Sequence, residues 1–213
     1  MLHRLMVGLF GCAVASVSVA ADTQWQEGKH YTRLDPAQPT ATAGKIEVLE
    51  IFSYGCPHCS EFQPIADTIK KGLPANAQFR YMPAELGRDS WGTFARAFYA
   101  AEAMGVVDKT HAALFSAIYT DKKVDVAKPT LEQIAPVLAS AGGVKAEDVI
   151  ATAQSFAVST KLKRGDAQIR AMGVSGTPTI IVNGKFRVES AATGGYAGLI
   201  DLVKFLVAQE GGK

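Results

Sequence analysis

The sequence predicts an α/β protein, a mixed central sheet flanked by helices with a helical block inserted into it. Three observations carry this reading. Residues 45–82 read strand, helix, strand; Ser90 to Met172 reads as helix after helix; and "TPTIIVNGKFRV", 177–188, holds two β-rich runs joined by Asn183-Gly184, with an amphipathic helix behind them. Asn-Gly between β-branched runs is a hairpin signal because both residues accept positive φ. Strands linked through a helix pair parallel and hairpin strands pair antiparallel, so the sheet is mixed. The middle segment is too regularly patterned to be a loop.

Taken in order, residues 22–44 form a polar lead-in with Pro36 and Pro39 in a loop and a short strand at "YTRL". "KIEVLEIFSY", 45–54, is rich in β-branched and aromatic residues and reads as a strand. A helix begins at the cysteines that follow and runs to about Lys71, where Gly72 and Pro74 stop it. "AQFRYM", 77–82, is the second strand. "WGTFARAFYAAEAMG" places Phe94, Ala97, Phe98 and Ala101 on one face and ends at Gly105; "KTHAALFSAIY" repeats the pattern with Leu114 and Ile118. "PTLEQIAPVLASAGG" opens on a threonine cap and closes on two glycines, with Pro136 as a kink candidate. "AEDVIATAQSF" and "TKLKRGDAQIRAMG" complete the block, and its aromatic stripe reads as core packing. The final helix, "YAGLIDLVKFLVAQ", turns Leu199, Leu202, Val203 and Leu206 inward.

The 213 residues are 48% apolar and 20% charged, as in a soluble globular protein, and a net charge of +2 gives no footprint for nucleic acid. Residues 1–20 stand apart. Arg4, an apolar run from Leu5 and the small residues ending at Ala20-Ala21 have the shape of a cleaved secretory signal peptide. The apolar run is shorter than the roughly 20 residues a spanning helix needs. Cys12 offers a lipid anchor as an alternative, although Phe10 fits that signal poorly. Cleavage would remove Cys12 and leave an exported chain whose only thiols are Cys56 and Cys59, in a compartment where disulfides persist.

Those two cysteines lie in "SYGCPHCSEF". Structural zinc needs four ligands, and one Cys pair with His30, His58 and His111 is a poor set. Haem attachment needs histidine directly after the second cysteine, where Ser60 stands. A disulfide here closes almost no loop and so stabilises little. A redox-active dithiol remains. The pair falls where a strand gives way to a helix, and Pro57 suits the first turn. Cys56 then meets unpaired backbone N–H groups and the positive end of the helix dipole, both of which favour the thiolate. His58, if protonated and folded back, adds a cation; otherwise it is an exposed turn residue. Cys59, one turn along, is the more buried resolving thiol. Stabilising the Cys56 thiolate stabilises the reduced form, which makes the disulfide an oxidant.

Glu50 shares a strand face with Ile46, Val48 and Phe52. It is either a desolvated carboxyl of raised pKa that exchanges protons with Cys59, or an edge-strand glutamate facing water. Pro178 in "SGTPT" precedes a strand. A cis bond there would leave the backbone of Thr177 free to pair with an extended peptide; a plain turn proline is the alternative.

Cys-Pro-His-Cys at a strand–helix junction, Glu50 upstream, an inserted helical domain and Thr-Pro before "IIVNGKF" together resemble the DsbA family, the periplasmic thiol:disulfide oxidoreductases of Gram-negative bacteria. The likeness runs from about Gln24 to Gln209. It implies a thioredoxin fold formed by residues 21–84 and 166–213, with 85–165 as the inserted helical domain. It implies oxidation of reduced, unfolded exported proteins through a mixed disulfide at Cys56, and reoxidation by a DsbB-like membrane quinone reductase. It further implies a cis Pro178, with Thr177 tuning substrate release. No metal is expected, and no cofactor beyond the Cys56–Cys59 disulfide. The lead-in before Lys45 has no room for the dimerisation domain of related isomerases, so a monomer is expected. Two features depart from the family pattern: Gln63 stands where relatives often carry an acid, and "YMPAELGRD" is short, which alters the groove.

Overall fold

The computed structural model describes residues 24–212; the expected signal peptide and Cys12 lie outside them. Its sheet is organised around β2 (Ile46–Phe52), in which all seven residues are buried. A strand apolar on both faces belongs in the middle of a covered sheet. Accordingly, β2 pairs parallel with β3 (Ala77–Pro83) on one side and antiparallel with β4 (Thr179–Val182) on the other. β4 continues through the hairpin to β5 (Phe186–Val188), and β1 (Tyr31–Arg33) closes the edge antiparallel to β5. The order is β1-β5-β4-β2-β3. Asn183 and Gly184 have φ of 52° and 63°, the left-handed pair that a two-residue hairpin turn requires.

Two helices cover one face: α1 (Pro57–Gly72), which leads from β2 towards β3, and the C-terminal α7 (Tyr196–Gly211). Phe62 and Ile69 of α1 pack with Leu199, Leu202, Val203 and Leu206 of α7 against Ile46 and Val48. Each such side chain contributes about 1.5–3 kcal/mol by leaving water.

Between β3 and β4 run α2 (Asp89–Ala103), α3 (Val107–Tyr119), α4 (Leu131–Gly142), α5 (Ala146–Gln154) and α6 (Phe156–Ala171). The cap expected at Thr130 is a reciprocal capping box with Gln133, and α4 continues through Pro136 to Gly143 at φ 71°. One boundary differs from expectation. "AEDVIATAQSF" does not stay helical to its end: Ser155 turns extended, ends α5, and caps α6 by accepting from Val158 N at 3.2 Å. Thus α6 starts before Thr160 and runs through the expected domain boundary at residue 165. Its first half sends Val158 and Leu162 into the helical core; its second half sends Ile169 and, at its end, Met172 against Leu49, Ile51 and Ile181 on the second sheet face. No described helix is long and apolar enough to cross a membrane.

Candidate active site

β2 ends at Phe52 and α1 begins at Pro57, so the four-residue junction between them, Ser53 to Cys56, sets the site. Ser53 organises it: its hydroxyl accepts from Gly55 N at 3.1 Å and its carbonyl from Cys56 N at 3.1 Å. Cys56 is the N-cap of α1 in extended conformation, with Pro57 in the first turn. Its carbonyl accepts from Cys59 N and Ser60 N, as the start of a helix requires. Both cysteines are buried thiols, Cys59 completely and Cys56 with 5% of its surface exposed.

The two thiols are driven apart in acidity. Cys56 is lowered from 9.0 to about 5, chiefly because the Cys59 thiol donates to its sulfur. Burial opposes this, while the Thr177 side chain and the backbone N–H groups of Cys59 and His58 add to it. Cys59 is pushed well up, first by burial and then by its bond to Cys56. Cys56 is therefore the thiolate at neutral pH and Cys59 keeps its proton. A dithiol so poised can attack or be attacked at one sulfur and resolve from the other.

The chain returns to this point 121 residues later. Cys56 Sγ lies 3.4 Å from the carbonyl oxygen of Thr177, and the Thr177–Pro178 peptide is cis. A second cis bond, at Asp35–Pro36, was not anticipated. The buried Thr177 hydroxyl makes no well-aligned hydrogen bond of its own.

His58 is placed differently from the folded-back geometry considered above. Its imidazole is exposed, as is Pro57, and it is the His58 backbone N–H that supports the sulfur. Gln63 donates to the Cys59 carbonyl at 3.3 Å, so it supplies an uncharged amide to the first turns of the helix.

Glu50 does not face water. It is fully buried in the central strand between Tyr81 and Ile180, and neither carboxylate oxygen has a hydrogen-bond partner among the described residues. Burial raises its pKa to about 8, with smaller contributions from Cys56 and Asp67. The carboxyl is thus mostly protonated at neutral pH and electrostatically linked to the thiolate.

Three groove residues escaped the sequence reading. Leu86, Arg88 and Trp91 line a cavity of about 520 Å³ with Cys56, His58 and Thr177. Gly55 makes this possible: a Cβ there would strike the Trp91 indole. Arg88 lies over the Trp91 ring, 4.3 Å from its centroid. Leu86 and Gly87 take φ of 46° and 72° in the short turn between β3 and α2. The one available signal was that turn, "ELGRD". Beneath the site, the aromatic stripe is core as expected, with His111 Nδ1 2.9 Å from the buried Tyr54 hydroxyl. Burial, with Lys70 nearby, lowers His111 to about 3, so this imidazole is a neutral packing group.

A low-pKa thiolate at a strand–helix junction, a protonated partner one turn along and a cis-prolyl turn against the sulfur define a thiol–disulfide exchange protein on a thioredoxin-type sheet. The chain belongs to the DSBA-like thioredoxin domain family, which it matches over residues 47–197. It is 36% identical over 205 residues to the thiol:disulfide interchange protein DsbA of Pseudomonas aeruginosa, covering 96% of this chain and 92% of that one. It is similar to the crystal structure of the oxidoreductase DsbA from Xylella fastidiosa, with TM-score 0.82, 31% identity, and 88% and 98% of the two chains covered. A Proteus mirabilis DsbA variant solved with a non-covalently bound peptide aligns with TM-score 0.72 and 26% identity, over 87% of this chain and 100% of that one.

Proposed function

We propose that this protein oxidises reduced, newly exported polypeptides by donating its Cys56–Cys59 disulfide. A substrate thiolate attacks Cys56 Sγ; the Cys56–Cys59 bond breaks and Cys59 leaves as a thiolate that takes up a proton. A second substrate thiolate then attacks the substrate sulfur of the mixed disulfide and expels Cys56. The substrate gains a disulfide and the protein is left as the dithiol, two electrons and their protons having moved to it. The observation that carries this is the opposed acidity of the two thiols, Cys56 at about 5 and Cys59 well above its ordinary value. Cys56 is a good leaving group, which drives the second step forward.

The supporting roles follow from position. Pro57 starts the helix, and the backbone N–H of His58 holds the Cys56 thiolate. Glu50, protonated near neutrality, is the proton donor to the emerging Cys59 thiolate. Thr177 presents its backbone carbonyl to an extended substrate peptide beside Pro178, in the manner of strand addition. Residues 21–84 and 166–213 act as one redox domain, with 85–165 as the helical domain inserted over it and α6 shared between them. The protein works as a monomer in the periplasm after signal cleavage, needs no cofactor beyond its disulfide, and is reoxidised by a DsbB-like membrane quinone reductase.

The test is the reduction potential of the Cys56–Cys59 pair in glutathione buffers. A potential well above the glutathione couple is expected. A value near that of a reducing thioredoxin would overturn the direction of transfer.

A further inference from the structure

A second cavity, of about 540 Å³, opens between α6 and the edge strand β3 and shares no lining residue with the groove at Cys56. Its volume lies in the roughly 300–1,000 Å³ range of small-molecule pockets. Its walls are largely apolar. Met82 comes from β3, Tyr99 from α2, and Phe156 and Ala157 from the first turn of α6. Gly165 lets the two helices close on it, since a Cβ there would lie 2.5 Å from the Tyr99 hydroxyl. Phe156 is 87% exposed. An aromatic ring left in water at the mouth of an apolar cavity is costly unless something covers it.

The charge around this cavity is one-sided. Arg80, Lys161 and Arg164 line it, and no carboxylate does. Behind the wall, Arg80 is paired with Glu47 and Glu102, each at 3.3 Å, and Lys161 is paired with Glu102. Among the described residues, Arg164 has no carboxylate within ion-pair distance. Among the ion pairs at the described residues, three lining cations thus meet two carboxylates, and the one left outside these pairs is an exposed guanidinium one helical turn beyond Thr160 and two beyond Ala157.

We propose that this cavity binds a free, single-chain anionic amphiphile, a monocarboxylate or monosulfonate with an apolar body. The body packs on Phe156, Met82 and Tyr99, and the head group pairs with Arg164. One negative charge neutralises the excess cation, and one apolar chain covers the exposed ring. Guanidinium is suited to the task because its planar fork matches a carboxylate or sulfonate. This site is independent of the dithiol chemistry, since none of its residues contributes to the Cys56 groove.

The experiment is a fluorescence titration of the folded protein with 8-anilinonaphthalene-1-sulfonate, followed by displacement with dodecanoate below its micellar concentration. Saturable binding reversed by dodecanoate is expected. Arg164→Glu should weaken it about fivefold or more, given the worth of an exposed ion pair and its reversal, while Trp91→Ala, in the other cavity, should leave it unchanged. Thermal unfolding checks that each variant is folded. Should Arg164→Glu not fold, amide chemical-shift mapping of the unmodified protein decides: shifts centred on Phe156, Lys161 and Gly165 support the site. Unchanged affinity in Arg164→Glu, loss in Trp91→Ala, shifts centred on Cys56, or binding to anionic vesicles but not to free dodecanoate would each overturn it.

Discussion

The thiol of Cys56 lies 3.4 Å from the carbonyl oxygen of Thr177, across 121 residues of chain. That contact joins the strand–helix junction carrying the dithiol to the cis-prolyl turn ahead of β4. It also places a backbone acceptor at the sulfur. The consequences of this arrangement can be measured.

Removing each sulfur should separate the two halves of the exchange. Cys56→Ser is expected to abolish oxidation of a reduced test protein. Cys59→Ser, given a disulfide-bonded test peptide, should instead accumulate a mixed disulfide through Cys56: its thiolate attacks the peptide disulfide, one peptide sulfur leaves as a thiol, and no resolving thiol remains. Mass spectrometry of the trapped adduct reads the difference; an adduct on Cys59 in the first variant would reverse the assignment.

The Cys56 thiolate should titrate near pH 5, visible as thiolate absorbance or as the pH profile of alkylation. Its folded pKa lies below the ordinary thiol value of 9.0, so the folded dithiol holds fewer protons than the unfolded chain between those limits. The resulting stabilisation is complete above pH 9 and is lost as pH falls through 5. The disulfide form carries no such group. Urea unfolding of both forms should therefore show the reduced form gaining on the oxidised form as pH rises across this window.

His58 acts on the sulfur through its backbone N–H, which His58→Ser retains and His58→Pro removes. The proline variant should raise the Cys56 pKa further than the serine variant, by on the order of one unit for one charge-assisted hydrogen bond. An equal rise in both variants would show that the exposed imidazole is the effective group.

Glu50 carries the opposite sign. Its folded pKa, about 8, lies above the ordinary 4.5, so burying it costs stability increasingly as pH rises from 4.5 to 8. Glu50→Gln should be more stable than the parent at pH 8, by on the order of a few kcal/mol, and the difference should vanish below pH 4.5. The same variant should slow formation of the mixed disulfide, the step in which Cys59 leaves and takes up the proton. A pH-independent stability difference would count against a buried titrating group.

Gly55→Ala tests the groove. The added Cβ collides with the Trp91 indole, so the ring must move out of the cavity beside Cys56. A loss of about 1–3 kcal/mol in stability is expected from overpacking. A fall in kcat/KM for peptide substrates should accompany it, with the Cys56 pKa little changed.

Much of this protein was legible from local chemistry. Cysteines at a strand–helix junction meet the free N–H groups of the first turn wherever the chain goes next, and Asn183-Gly184 specifies its own hairpin. The inward residues of the last helix, Leu199, Leu202, Val203 and Leu206, follow from the period of 3.6 residues, and all four are buried. Ser155 was hidden because a cap between two helices leaves the apolar periodicity unbroken, so only backbone geometry reveals where α5 stops. Tertiary structure alone decided the rest. Glu50 could be an edge or a central residue until β3 and β4 paired on either side of it, and its raised pKa depends on that enclosure. Trp91 and Arg88 became groove residues because a tight turn folds α2 back over Gly55. His58 shows the same dependence: sequence places the residue near a sulfur, and the packing of the chain leaves its imidazole exposed with its backbone N–H at the thiolate.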